Sequence, residues 1–308
     1  MDSHIFATAA AITPIFLSIL LGWAIRKLDI MPAGAWAGVN RLAFYVLAPM
    51  YLLHLITHAD ISGAGAGHFI LVLMTGVVIS ALAALVIKPL LTRNSSFASV
   101  FQAAVRWNAI VLLAAAPSMF GADGASLLAL ALAPMTVACN VLAVAGFSLW
   151  GGTSTLTAKG LLKGFLFNPL LLGSFGGGVL LLINFRIPEP LSTVVLLCGQ
   201  ASIPLILLCV GAGLNFGAVL NAPRYLLAGL MLRLAGGPLA MLLATEIWGL
   251  SGLAKAVAIA AGATPTAAAG YVLAREMGGD AELMAGLVTA TTLLSAITIP
   301  LAVSLLAH

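Results

Sequence analysis

Charge is scarce in this sequence. Asp, Glu, Lys and Arg make up only 7% of its 308 residues, where a soluble domain carries about 25%. With 62% of the residues hydrophobic, no aqueous fold could hide the apolar surface, and bilayer must be the solvent for most of the chain. The net charge of +4 comes from basic residues spread over short loops, so no patch is offered to nucleic acid. Cysteine is nearly absent. Cys139, Cys198 and Cys209 lie in apolar runs without CxxC spacing, which reads as buried small residues and points to no disulfide, metal or cofactor. Acids are missing from deep positions: Asp60, Asp123, Glu189, Glu276, Asp280 and Glu282 fall in loops or at segment ends, and Glu246 stands beside a boundary at Trp248. The five histidines also sit near termini or segment ends. An intramembrane enzyme needs a nucleophile with a nearby base, or paired embedded aspartates. Neither is visible, so no enzyme is expected. A channel is disfavoured because no ring of charge or repeated pore motif occurs. The opening MDSHIFATAA has no basic n-region, so the first apolar run should remain as a helix.

Proline is what the chain has in an informative order. Pro14, Pro32 and Pro49 are echoed by Pro169, Pro188 and Pro204, with gaps of 18 and 17 residues in the first set and 19 and 16 in the second. Pro89 and Pro117 are answered by Pro238 and Pro265. A proline inside a helix removes one backbone hydrogen bond and blocks another. In lipid such a break survives only where protein or a water-filled cavity covers the freed groups. Two similar halves with interrupted membrane helices are the mark of a secondary transporter.

About 20 apolar residues cross a hydrocarbon core. Ten segments reach that length, at residues 6–26, 35–57, 67–91, 97–120, 123–150, 165–184, 190–214, 223–248, 252–276 and 281–306. Short polar or glycine-rich stretches separate them, Gly121 to Gly124 among these. Segment 4 is the weakest on hydropathy, holding Gln102, Arg106 and Asn108. Leu156 to Leu166, with Lys159 and Lys163 one turn apart, reads as an amphipathic surface helix. Arg26, Lys27, Arg41, Lys88, Arg93, Lys159, Lys163, Arg224 and Arg275 belong to one set of alternate connections; Arg186 and Lys255 belong to the other. That bias makes the first set cytoplasmic and both termini external. Five spans per half is an odd number, so the second half enters the membrane inverted. The expected fold is an all-α integral membrane protein with ten transmembrane helices in two inverted five-helix repeats, 1–150 and 165–308, joined by an interfacial linker over 151–164.

In such carriers the site lies where broken helices of the two halves meet. Segments 4 and 9 are the matching pair. Both combine a proline, Pro117 or Pro265, with small and polar residues, although prolines that merely kink packed helices would look the same. An unwound stretch exposes N–H groups at the start of its second half-helix, and these can hold a carboxylate without a basic side chain. Arg106, about 9 residues or about 14 Å inside segment 4, could bind an anion, pair with a carbonyl or snorkel to the surface. Asn108, uncharged and deeper, is the favoured direct ligand. For Arg233, at comparable depth in segment 8, a structural pairing role is expected. His54 could titrate near neutral pH, so proton coupling stays possible, but a hydrogen-bonded interface role suits it better.

Four motif groups, in order, resemble the auxin efflux carrier family, the bacterial relatives of the plant auxin exporters. They are Pro14-Ile15-Phe16 to Leu21-Gly22 with Asn40-Arg41-Leu42, Phe44-Tyr45 and Pro49; Arg106-Trp107-Asn108 with Phe120-Gly121 and Asn140; Asn168-Pro169 with Gly199-Gln200-Ala201 to Gly211-Ala212; and Thr264-Pro265-Thr266 with Tyr271 to Arg275, Gly278-Gly279-Asp280 and Ser295 to Pro300. The resemblance implies a bile-acid/sodium symporter-like fold in the inner (plasma) membrane. Helices 1, 2, 6 and 7 would form a scaffold that often dimerises, and the others a transport domain with helices 4 and 9 crossing. A small organic anion would move by an elevator-like shift. Many members carry a proline at the helix 4 crossover, which aligns near Ala114 here; the break is therefore expected near Ala114 and Pro117, and at Pro265 in helix 9. By the same analogy the substrate site comprises Arg106, Asn108, Thr264, Pro265 and Thr266, with Thr136 and Asn140 of segment 5 and Gln200 of segment 7. The related symporters place a buried carboxylate on helix 9. None stands there in this chain, so no sodium coupling is favoured, with a sodium-coupled symporter of the same fold as the alternative.

Overall fold

The computed structural model describes residues 2–58, 65–152, 168–220 and 222–307. The surface helix expected over 156–166, Asp60 and most of the 151–164 linker lie outside the described residues. Every element among those described is helical: α1 (Asp2–Lys27), α2 (Ala35–Thr57), α3 (Gly65–Leu90), α4 (Asn94–Val105), α5 (Ala109–Trp150), α6 (Pro169–Leu182), α7 (Leu191–Ala212), α8 (Pro223–Trp248), α9 (Gly252–Ala263), α10 (Gly270–Glu276) and α11 (Ala281–Leu306). Seven are long and apolar enough to cross a membrane, and α6 and α9 are shorter apolar helices.

Burial does not separate apolar from polar as it does in a water-soluble protein. Val86, Phe175 and Leu182 are exposed by 77%, 73% and 74%, whereas Ser96, Ser99, Gln102, Thr264, Thr266 and Thr292 are each 0% exposed. Large apolar residues face outward as well as filling the core, and a set of hydroxyls and amides is buried among them, which suits a hydrocarbon solvent. The chain is a multi-pass membrane protein.

Without a hydrophobic drive between helices in lipid, close packing depends on small residues. α1 packs on α7, and α2 on both α6 and α7. A Cβ on Gly22 would strike the Leu208 carbonyl oxygen, one on Gly211 the Ile19 carbonyl, and one on Gly199 would lie 2.7 Å from Tyr51 Cα. Backbone therefore meets backbone in this group. A second group gathers α3, α8, α9 and α11 around α4 and the first part of α5. Contacts of α1 with α11 and of α5 with α6 join the two groups.

Between segments 4 and 5 the expected polar break is reduced to one residue. Gly121, at φ 69° and ψ −169°, alone leaves helical geometry between Ala109 and Trp150. That backbone region is essentially restricted to glycine. At the opposite end of the molecule, connections that the charge count assigned to one side come together. Asp280 caps α11 by accepting from Leu283 N (3.0 Å), and it accepts from Ser96 Oγ (2.8 Å) and the Arg93 guanidinium (3.4 Å). Arg93 N donates to Tyr225 Oη (2.9 Å), and Gly152 N to the Gly278 carbonyl (3.0 Å).

Candidate functional site

Segment 4 breaks at Arg106-Trp107-Asn108, between α4 and α5. Arg106 and Asn108 are extended, at φ −104°, ψ 99° and φ −94°, ψ 90°. Ala114 and Pro117 were the expected break, and the structure corrects this: both lie inside the continuous helical stretch that begins at Ala109. Pro117 costs that helix one N–H bond but does not end it. Asn108 sets the start instead. Its Oδ1 accepts from Val111 N (3.4 Å), the capping geometry asparagine favours. Segment 9 does break at its proline. Thr264, at φ −62°, ψ 154°, closes α9, as expected of a residue forced out of the α region by the ring of Pro265.

The two interruptions cross and satisfy each other. Trp107 and Thr266 form an antiparallel bridge. Asn108 N donates to the Pro265 carbonyl (2.9 Å), and Ala267 N to the Arg106 carbonyl (3.2 Å). That carbonyl also accepts from Thr266 Oγ1 (3.2 Å). Thr266 N donates to Thr291 Oγ1 of α11 (3.2 Å). Broken backbone is tolerated at membrane depth only when partnered in this way.

Both α4 and α9 run C-terminus first into the crossing, so two negative dipole ends converge. Arg233, buried at 3% exposure, meets them from a π-helical stretch of α8, Met231–Gly236. Its Nε donates to the Thr264 carbonyl (2.8 Å) and one terminal nitrogen to the Ala104 carbonyl (3.1 Å). The other donates to the carbonyls of Ala261 (3.0 Å) and Gly262 (2.9 Å) and to Thr264 Oγ1 (3.2 Å). Gly237 and Gly262 allow this approach: a Cβ on either would strike the other's carbonyl. Arg233 is thus a pairing residue whose positive charge is taken up by backbone.

Arg106 is placed differently. It is partly buried, and its guanidinium has no hydrogen bond or ion pair among the described residues. Two residues further on, the Asn108 side-chain nitrogen donates to nothing described, and the N–H groups of Ala109 and Ile110 are among those that a first helical turn leaves open. A carboxylate would find a cation, an amide and a helix start together here.

Of the other expected site residues, Thr264, Pro265 and Thr266 form the segment 9 strand, with both threonines fully buried. Cys139 Sγ lies 3.1 Å from the Val105 carbonyl, which brings α5 to the level of the crossing; Thr136 and Asn140 share that turn, both partly buried. Gln200 is exposed on α7, and among the described residues no hydrogen bond ties it to the crossing. His54 stacks on His58 (4.3 Å) near the end of α2, away from the broken helices. Sequence reasoning missed Thr291 and the burial of Gln102. Gln102 is 0% exposed with both amide atoms unpartnered, and a Cβ on Gly270 of α10 would come 3.0 Å from its Nε2. The hydroxyl run Thr289, Thr291, Thr292 and Ser295 in an otherwise apolar segment was the available signal.

Residues 153–303 match a family model described as membrane transport protein. This match agrees with the resemblance to the auxin efflux carrier family that the sequence motifs carry. Along 307 residues the chain is 25% identical to a protein of Rhizobium meliloti (strain 1021) named "Putative malonate transporter", with 94% of the chain and 92% of that relative covered. Both matches point to a membrane transporter.

Proposed function

We propose that the chain is a secondary transporter of a small organic anion and that a carboxylate of the substrate binds at the crossing of segments 4 and 9. The observation that carries this reading is Arg106, a cation inside a helix break with no counter-ion among the described residues, beside the Asn108 cap. A charge at such depth costs about 2.5–3.5 kcal/mol to insert and is retained where it has a partner or a task. The named relative suggests malonate as the first solute to try.

In this reading the ten spans form two inverted repeats. Their packing supports that arrangement: α1 against α7 mirrors α6 against α2, and α3 meets α8. The glycine-packed group of α1, α2, α6 and α7 would be the scaffold, dimeric through its outer face. The group around the crossing would carry the substrate past it in an elevator-type shift across the inner membrane. A sodium-coupled symporter is the second reading, favoured by the hard oxygens of Thr264, Thr266, Thr291 and Thr292 around the crossing.

Vesicles holding purified protein, given labelled malonate and related carboxylates from outside, test both readings. Uptake should saturate and should drop at least about tenfold in Arg106→Gln, the loss of one hydrogen bond to a charged group. Uptake unaltered by Arg106→Gln and Asn108→Ala would remove the proposed site. An absolute need for a sodium gradient would transfer the assignment to the symporter.

A further inference from the structure

A groove of about 490 Å³ opens between the end of α3 and the first half of α8, separate from the crossing. Its wall is apolar, with Leu90, Leu91, Leu227, Met231 and Gly236 among the lining residues, and Arg224 is the one charged side chain in that lining. Leu90, Leu227 and Met231 are exposed by 61%, 60% and 59%. The volume is that of a small-molecule site, but its shape chemistry is that of an acyl chain with a charge at one end. Neighbouring cations are committed elsewhere. Lys88 Nζ lies 5.0 Å from the Phe97 ring centroid and donates to the Leu91 carbonyl (3.4 Å). Arg93 pairs with Asp280 and faces the Tyr225 ring. Arg224 is exposed and has no hydrogen bond or ion pair among the described residues.

We infer that this groove binds one anionic phospholipid, with an acyl chain along α8 and the phosphate on Arg224. The charge count places Arg224 on the cytoplasmic side, where anionic headgroups attract basic residues by about 1 kcal/mol each. The groove also lines the π-helical stretch Met231–Gly236, whose other face presents Arg233 to the crossing. An occupied groove therefore supports the segment that pins the two broken helices.

Native mass spectrometry tests this on protein from mixed phosphatidylglycerol and phosphatidylcholine micelles. The wild type should retain phosphatidylglycerol selectively. Arg224→Gln should cut that preference about fivefold, which is about 1 kcal/mol converted at room temperature, without altering phosphatidylcholine retention. Ala228→Leu, which fills the groove, should reduce retention of both lipids. Added phosphatidylglycerol should raise the thermal midpoint of the wild type and not of either variant. Equal phosphatidylglycerol retention in all three proteins overturns the assignment, as does a lipid-free dimer that covers the groove. Neither readout depends on the transported solute, so failure of one proposal leaves the other standing.

Discussion

Arg233 and Arg106 stand at the same crossing, and their removal should have opposite signatures. Arg233→Met leaves the carbonyls of Ala104, Gly262 and Thr264 without a side-chain donor, whereas that of Ala261 keeps Thr264 Oγ1 (2.8 Å). Each buried unsatisfied group costs about 1–3 kcal/mol, so the unfolding free energy should fall by at least about 3 kcal/mol, and the thermal midpoint in detergent reads this. Arg106→Gln removes no intramolecular bond of the side chain, so its stability should stay within about 0.5 kcal/mol of wild type while uptake collapses. A similar midpoint loss in both variants would remove the distinction. Gln102 allows a third comparison. Its amide is buried without partners, and an apolar replacement of similar size can be neutral or stabilising. Gln102→Leu should therefore unfold at or above the wild-type temperature; a clear drop would show that the amide is solvated or bonded in the membrane.

Among the elements, the joint between segments 4 and 5 depends on a single residue. Gly121→Ala forces a side chain into a backbone region reserved for glycine, at a cost of about 1–3 kcal/mol, although space for a Cβ is open there. The expected result is a lower midpoint from conformational strain alone. Gly211→Val should destabilise by a different route, because its Cβ would drive into the Ile19 carbonyl of α1, and overpacking costs about 1–3 kcal/mol. The seven long spans were legible in the sequence because the bilayer imposes a length on an apolar run, and segment 8 was read to the residue, Pro223–Trp248. The break at Pro265 was legible because the ring itself forbids the bond. The break at Arg106–Asn108 was not placed, since no proline marks it. A bridge to Thr266, some 160 residues away, and an asparagine cap hold it open. Local chemistry announced one interruption; only tertiary pairing explains the other. Arg106 and Asn108 were singled out as polar residues in an apolar run, whereas Thr291 escaped notice because hydroxyls usually bond their own helix in lipid.

At the scale of the whole molecule, the charge pattern and the contacts among connections agree. Arg93, Gly152, Tyr225 and Asp280 belong to four different connections or span ends of one predicted side, and the fold joins them. A single cysteine placed at Arg186 should react with an impermeant reagent on intact cells and one placed at Asp29 only after lysis; labelling of both on intact cells would invalidate the assigned orientation. The crossing itself restricts how the molecule can work. Two interrupted rods are sewn together by strand-like bonds and by one guanidinium with five acceptors. A gate that parted them would have to rupture all of these at once in an oily medium that offers no replacement partners. In the elevator reading proposed above, the less costly way to open a path is to leave the knot tied and move the whole block past the group of α1, α2, α6 and α7.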